Sequence, residues 1–310
     1  MKCALWHRRG LFAWLLLPVG AAFLALVALR RLLYRLGVLP PVRLPVPVVV
    51  VGNITAGGSG KTPLVIWLAE ALSARGMHPG VISRGYGRRT DGVREVFPDS
   101  TAAEAGDEPL LIRRRVGCPV FVGRDRAAAG RALLAAHPGT DVILSDDGLQ
   151  HYRLARDVEI AVVDDLKNGW PLPAGPLREP ASRLRTVDAV VGHGWAGDAD
   201  FRMTLAGGPL PEKLHGKRLH AVAGIGNPQR FFGHLAGLGL RFEAHAFPDH
   251  HAYVAGDLDF SGDAILTTEK DAVKFGGLSK LPVWVLSVTA RIEPDLAQFV
   301  LEKIDGRPPA

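Results

Sequence analysis

The stretch Val48-Val49-Val50-Val51, followed by Gly52-Asn53-Ile54 and then Thr55-Ala56-Gly57-Gly58-Ser59-Gly60-Lys61-Thr62, constrains this 310-residue chain more than any other. Four consecutive β-branched residues read as a strand buried on both faces. Pro63 to Arg75 has the apolar spacing of a helix and ends at Gly76. The glycines between them let successive amides turn toward phosphate oxygens, and the helix N-terminus adds a favourable dipole. Lys61 has the reach for the outer phosphates, and the Thr62 hydroxyl is a ligand type for Mg²⁺. Thr55 stands where the usual pattern has its first glycine. The alternative, a glycine-rich turn with an incidental lysine, leaves unexplained why Gly-Lys-Thr sits at a strand-to-helix junction. Nucleoside triphosphate binding, with ATP as the ligand, is the expectation.

Further short apolar runs at 80–83, 119–122, 142–144, 160–163 and 189–191, with helical stretches such as 124–137 between them, predict an α/β fold. It is P-loop NTPase-like, a mostly parallel sheet with helices on both faces. A second set (220–223, a helix at 227–238, 241–247, 264–267, 283–287) predicts a smaller C-terminal α/β domain. Pro40, Pro41, Pro45 and Pro47 make a rigid connector. The expected division is therefore an anchor helix at 1–38, a nucleotide-binding domain at 39–212 and a cleft-closing domain at 213–310.

The formal charge of +6 invites a nucleic-acid reading, but its location removes it. Residues 1–69 hold eight basic side chains and no acid, leaving 29 basic against 31 acidic side chains in the rest and no basic stripe. Arg8 and Arg9 precede, and Arg30, Arg31 and Arg35 follow, the uncharged run Leu11 to Leu29, whose 19 residues reach the lower limit for a bilayer-crossing helix, about 17–25 residues. The basicity belongs to a membrane surface. Arginines on both flanks, with Pro18 and Gly20 inside, leave a single span and a helix lying in the interface both open. A cleaved signal fits poorly, because Arg30-Arg31 follow at once and ATP chemistry argues for the cytosol. Unbroken apolarity through Phe12, Trp14 and Phe23 makes a buried core helix less attractive. Cys3 and Cys118 supply neither a disulfide framework nor a cysteine–histidine zinc site, as expected of a reducing compartment.

A Mg²⁺ partner is expected at another strand's end, and Asp141 to Leu144 runs into Ser145-Asp146-Asp147-Gly148-Leu149-Gln150-His151. Two adjacent carboxylates at a strand tip suit Mg²⁺, which favours one or two carboxylates plus phosphate oxygens. A solvated Asp-Asp-Gly turn is the alternative. Asp107, before Glu108-Pro109, has the residue type of a helix N-cap. His250-His251 lack a third ligand at zinc spacing and read as surface-loop histidines.

Several blocks occur in one order behind the anchor: PVPVVVVGNITAGGSGKTP, SRGYGRR (83–89), GDEP (106–109), SDDGLQHYRLARDVEI (145–160), LPAGPLREP (172–180), GIGNPQRFF (224–232), FPDHH (247–251) and TTEKDAVKF (267–275). Over nearly its whole length the chain thereby resembles the tetraacyldisaccharide 4'-kinases, the lipid A 4'-kinases of Gram-negative bacteria. The resemblance implies transfer of the ATP γ-phosphate to the 4'-hydroxyl of a membrane-embedded acylated glucosamine disaccharide 1-phosphate. It implies a site between two α/β domains at the cytoplasmic face of the inner membrane. It also gives Asp107 the role of the base that takes the hydroxyl proton and pairs it with His250. Tyr86, Gln150, His151 and Arg178 fall in blocks that the family uses around the lipid headgroup, against ordinary loop roles for each. Glu269-Lys270-Asp271 reads equally as a helix-start charge cluster.

Three rivals compete. A membrane-associated P-loop ATPase switch would carry a lysine just before the paired glycines, where this chain has Ala56. A dinucleotide-binding oxidoreductase would need the GxGxxG spacing, which the loop lacks. A nucleic-acid-binding protein fails on charge distribution.

Overall fold

The structure, a computed structural model, describes Trp6 and residues 8–305; Cys3, the first residues of the anchor segment and residues 306–310 lie outside the described residues. The strands are β1 (Val48–Gly52), β2 (Pro79–Ser83), β3 (Arg94–Val96), β4 (Val120–Val122), β5 (Val142–Asp146), β6 (Val158–Val163), β7 (Ala189–Gly192), β8 (Phe201–Gly207), β9 (Leu219–Ala223), β10 (Phe242–Ala246), β11 (Ala264–Thr268), β12 (Val283–Leu286) and β13 (Val288–Glu293). The helices are α1 (Leu11–Arg35), α2 (Lys61–Ser73), α3 (Ala102–Ala105), α4 (Asp107–Arg115), α5 (Arg126–Ala136), α6 (Pro228–Gly237), α7 (Glu269–Phe275) and α8 (Leu296–Asp305).

Nine strands form one sheet in the order β13-β8-β7-β6-β1-β5-β2-β4-β3, parallel except at its two ends, where β3 and β13 pair antiparallel. The valine run of β1 lies inside it, Val49 in register with Leu144 of β5 and with Val158 of β6. Alternating side chains point to opposite faces. Val49 and Val51 enter a core with Leu64, Leu68 and Leu72 of α2, whereas Val48 and Val50 enter another with Ala129 and Leu133 of α5. Covered on both faces, β1 has no position for a polar side chain. The second sheet, β10-β9-β11-β12, is wholly parallel and surrounds its own apolar cores.

The division drawn at residue 213 needs a correction at its far end. After β12 the chain returns to the large sheet: β13 pairs with β8, Ala290 opposite Leu205, and Leu296, Ala297 and Val300 of α8 join the core beside α2. The smaller unit is therefore inserted between two neighbouring strands. Its entry and exit are tied together by the Gly208 amide donating to the Ser287 carbonyl at 2.8 Å.

Helix α1 is continuous over 25 residues through Pro18, long and apolar enough to cross a membrane. One side lies along the body. Ala13 and Gly20 are buried, and a Cβ on Gly20 would come within 2.8 Å of Pro171. Trp14 packs edge-on against Trp170, and the guanidinium of Arg31 donates to the Thr186 hydroxyl at 2.8 Å. The other side exposes Leu11, Phe12, Leu15 and Leu26.

Candidate active site

The phosphate loop is held at both ends before any ligand arrives. Asn53, buried just past β1, donates its side-chain amide to the hydroxyls of Thr55 (3.2 Å) and Ser59 (3.0 Å). The Ala56 amide donates to the Pro176 carbonyl at 2.8 Å. Gly60 caps α2 with φ +89°, and a Cβ there would lie 2.7 Å from Met203 and 2.9 Å from His193. Glycine is required at that position on both counts. The Lys61 ammonium lies across its own loop, 3.4 Å from the Gly57 carbonyl and 3.6 Å from Asp147.

Asp146 ends β5, and Asp147 follows with φ +47°. Buried Asp146 accepts from the Ser83 hydroxyl at 3.2 Å through Oδ2, while its Oδ1 is buried with no hydrogen-bond partner among the described residues. Burial, then Glu108 and Asp147, push the Asp146 carboxyl up to about 7. For Asp147 burial acts the same way, but Lys61 and Arg178 (3.3 Å) outweigh it and hold the carboxyl below its ordinary range. Two sequence neighbours are thus set apart, one a firm anion and one titrating near neutrality. The Arg126 guanidinium donates to the Asp147 carbonyl at 3.1 Å and fixes the turn.

Asp107 and His250 meet across the two units. Gly106 occupies the N-cap of α4 with φ +90°, so Asp107 is the first helical residue and is free of the capping role. Its buried carboxylate accepts from His250 Nδ1 at 2.9 Å. His250 has φ +61°, in the loop after β10, and its Nε2 accepts from the Lys270 ammonium at 3.3 Å. Lys270 also pairs with Glu108 (3.0 Å) and Asp249 (3.1 Å). Burial raises the Asp107 carboxyl, but the hydrogen bond from His250 and the charge of Lys270 prevail and hold it low. The bond to Asp107 lifts His250 above its ordinary value against the effect of burial. Burial opposes the Lys270 charge, yet Glu108 and Asp249 keep that ammonium firmly protonated.

The four headgroup candidates differ in surroundings. Tyr86 is 61% exposed and stacks edge-on against His250, with centroids 4.9 Å apart. Arg178 is half-buried on Asp147. Gln150 instead donates to the Asn53 carbonyl and to Glu179, both at 2.9 Å, and buried Glu179 also accepts from Tyr152 and Arg183. His151 Nε2 accepts from the Arg126 amide at 3.4 Å, and burial followed by Arg126 pushes its pKa down to about 4. Gln150 thus already braces Asn53 before the phosphate loop, and His151 the start of α5. Sequence reasoning missed Asn53, Glu108 and the outward role of Lys270. Its neighbours Glu269 and Asp271 do turn inward, Glu269 to Arg115 at 2.6 Å and Asp271 to the Gly224 amide at 3.0 Å.

A cavity of about 310 Å³ opens between the phosphate loop and the smaller unit. Gly58 to Pro63 and Glu108 wall it from the large unit, and Asn227, Arg230, Asp249 and Lys270 from the smaller one. Beyond the polar end it is lined by Ile66, Leu111, Leu205, Ile225, Phe231 and Leu286, a slot suited to a planar apolar group.

Residues 12–305 match the family model described as tetraacyldisaccharide-1-P 4'-kinase. The proteins named tetraacyldisaccharide 4'-kinase from Azoarcus sp. (strain BH72) and Dechloromonas aromatica (strain RCB) are 53% and 52% identical to this chain. The alignments cover 98% and 97% of it and 96% and 95% of those proteins. A crystal structure of LpxK from Aquifex aeolicus in complex with ATP superposes with a TM-score of 0.82 at 30% identity, over 95% of this chain and all of that one. With a family model matched over residues 12–305 and two relatives more than half identical over nearly the whole chain, the chain belongs to the tetraacyldisaccharide 4'-kinase family.

Proposed function

We propose that this chain transfers the γ-phosphate of ATP to the 4'-hydroxyl of tetraacyldisaccharide 1-phosphate in lipid A biosynthesis, with Asp107 as the base. It is a kinase of the transferase class. The observation that carries the assignment of the base is the 2.9 Å contact between Asp107 and His250, one from each unit and next to Glu108 and Lys270, which wall the cavity that the phosphate loop lines. A sugar hydroxyl is a weak nucleophile until its proton has an acceptor. Asp107, ionised and relieved of capping, is such an acceptor. His250 and Lys270 position it, and Tyr86, packed on His250, and Arg178, beside Asp147, are the residues for the lipid headgroup.

In the nucleotide's half of the site, the amides of Gly57 to Lys61 bind phosphate oxygens, since that of Ala56 is already held by the Pro176 carbonyl, and Lys61 leaves Asp147 to meet the transferring group. Mg²⁺ fits the neighbouring residues: the orphaned buried Oδ1 of Asp146 calls for a cation, and Thr62 and Asp147 complete an oxygen ligand set of the hard type that Mg²⁺ prefers. When bound, Mg²⁺ neutralises charge on the phosphates.

The enzyme sits at the cytoplasmic face of the inner membrane, where α1 lies in the interface. Residues at both ends of this helix touch the body, Arg9 through the Asn168 carbonyl (3.2 Å) and Arg31 through Thr186. From Leu11, two residues after Arg9, to Arg31 the helix runs about 30 Å along its axis at 1.5 Å per residue. A helix crossing the bilayer would lift one of those ends away from the body; one lying in the interface keeps both and immerses Leu11, Phe12, Leu15 and Leu26.

Purified protein in detergent with γ-labelled ATP, Mg²⁺ and the acylated disaccharide 1-phosphate tests the reaction. Label in the lipid supports it. Hydrolysis without transfer would select the ATPase-switch reading instead.

A further inference from the structure

The smaller sheet carries a side-chain cluster for which phosphoryl transfer has no use. His220 lies on β9, and Glu243 and His245 lie on the neighbouring edge strand β10. His220 is in register with Glu243, and Val222 with His245. Residues in register share a face, and so do residues two apart, so all three side chains project from one face of the sheet. His220 Nδ1 is 3.0 Å from His245 Nε2. One Glu243 carboxylate oxygen is 3.6 Å from His220 Nδ1, and the other is 3.8 Å from His245 Nε2.

These separations are those of ligands around a metal. Four ligands with Zn–N bonds of about 2.0–2.1 Å at tetrahedral angles lie roughly 3.3 Å from one another. The hydrogen bonding of His220 also selects the required tautomer. Its Nε2 lies 3.3 Å from the Ser261 carbonyl, which can only accept, so Nε2 carries the proton and Nδ1 turns its lone pair toward His245 and Glu243. A ring N–H anchored on a backbone carbonyl is the usual support of a metal-bound histidine. Phe260 holds both rings by stacking, at 4.5 Å on His220 and 4.2 Å on His245. Glu243, with its side chain 68% exposed, leaves an approach from solvent.

We infer that His220, Glu243 and His245 form a site for a divalent transition-metal ion of the zinc type, clipping β10 to β9 and leaving one coordination position to water. Two imidazoles and one carboxylate favour such an ion over Mg²⁺, whose preference is for oxygen. The site is separate in residues and in chemistry from the Asp146–Asp147 pair. A simple hydrogen bond between the two histidines would account for their 3.0 Å contact but gives Glu243 no part.

The test uses full-length protein in detergent, stripped with chelator and titrated with Zn²⁺ in excess Mg²⁺, with bound metal counted by mass spectrometry. One Zn²⁺ per chain is expected, retained in Asp146→Asn. His245→Gln and Glu243→Gln should each weaken binding by about 100-fold or more, since losing even an outer-shell partner typically costs about 10–100-fold. Phosphoryl transfer should stay unchanged in both. Co²⁺ in the same site should show the intense visible bands of a four-coordinate ion, a readout independent of any variant. If His245→Gln fails to fold by circular dichroism, the exposed Glu243→Gln decides. Absence of stoichiometric Zn²⁺, equal binding in wild type and Glu243→Gln, or its loss in Asp146→Asn would each overturn the inference.

Discussion

Replacing Asp107 by Asn keeps the shape of the side chain, and because Gly106 rather than Asp107 caps α4, the helix loses no cap. What is lost is the proton acceptor. General-base catalysis contributes about 10²–10⁴-fold, so kcat should fall by that factor with ATP affinity little changed. His250 acts only through Asp107, and a hydrogen bond to a charged group is worth about 1.5–3 kcal/mol. At ~1.4 kcal/mol per tenfold, His250→Ala should therefore cost roughly 10- to 150-fold. Once Asp107 is gone His250 has nothing to orient, so the double variant should lie within about threefold of Asp107→Asn alone. The assay is initial-rate transfer of labelled phosphate to lipid in mixed micelles, with the four proteins compared at saturating ATP. Histidine NMR gives a second readout: the bond to Asp107 is the largest cause of the raised His250 pKa, so that pKa should fall in Asp107→Asn. The sign for stability follows. Because the folded value is raised, the pair's contribution is complete below about 6.5 and is lost as pH rises through the folded value. His250→Ala should accordingly lower Tm more at pH 6 than at pH 9. Multiplicative kinetic losses, or an Asp107→Asn variant within a few-fold of wild type, would refute the coupled base.

Other outcomes follow from the same geometry. Lys61→Ala should lose at least about 10²-fold in kcat, the typical cost of one donor to transition-state charge, with Tm near that of wild type; near-normal turnover would remove the phosphate-loop role. Asp146 has a folded pKa of about 7 against an ordinary 3.8, so without Mg²⁺ the folded protein holds an extra proton between those values and loses stability as pH rises through that window. Asp146→Asn should then raise Tm more at pH 8 than at pH 5, and scarcely below the ordinary carboxylate value, while abolishing transfer, and equal shifts at pH 5 and pH 8 would contradict the buried acid. Deleting residues 1–36 should reduce vesicle flotation and raise the apparent KM for lipid more than for ATP, whereas equal effects would indicate a folding defect. Gly20→Val, which drives a side chain into Pro171, should detach α1 from the body and reproduce the lipid-specific KM change.

Which elements were legible in the sequence depended on how local their signals are. The runs that became β1, β5, β6 and β7 stood out because each holds three or more consecutive apolar residues, as a strand covered on both faces requires over most of its length, and the phosphate loop stood out because its residues are eight in a row. Strand β8 was passed over because burial alternates along it, with Phe201 and Met203 inward and Arg202 and Thr204 outward, so no continuous apolar run marks it. Its partner β13 lies some 80 residues downstream, alternates similarly as Ala290 and Ile292 between Arg291 and Glu293, and was therefore assigned to the wrong unit. The zinc-type cluster escaped for a related reason. His220 is 23 residues from Glu243, and only the parallel register of β9 and β10 puts the two on one face.

The Asp107–His250 pair shows the same limit most sharply. Asp107 and His250 are 143 residues apart, and no spacing rule joins them; resemblance in the blocks around them did, and the fold supplies the physical reason. The smaller unit leaves the large sheet after β8 and returns in β13, so the register of those two strands fixes where the unit that carries His250 begins and ends. Arg115 of α4 then grips Glu269 at 2.6 Å, and Glu269 also accepts the Val288 amide at the start of β13. One residue later Lys270 reaches back to Glu108 and His250. The helix that carries Asp107 at its first residue and Arg115 at its last is thus tied to the smaller unit at both ends. The 2.9 Å contact between Asp107 and His250 is maintained by a strand pairing and an ion pair, both made by residues other than the two themselves.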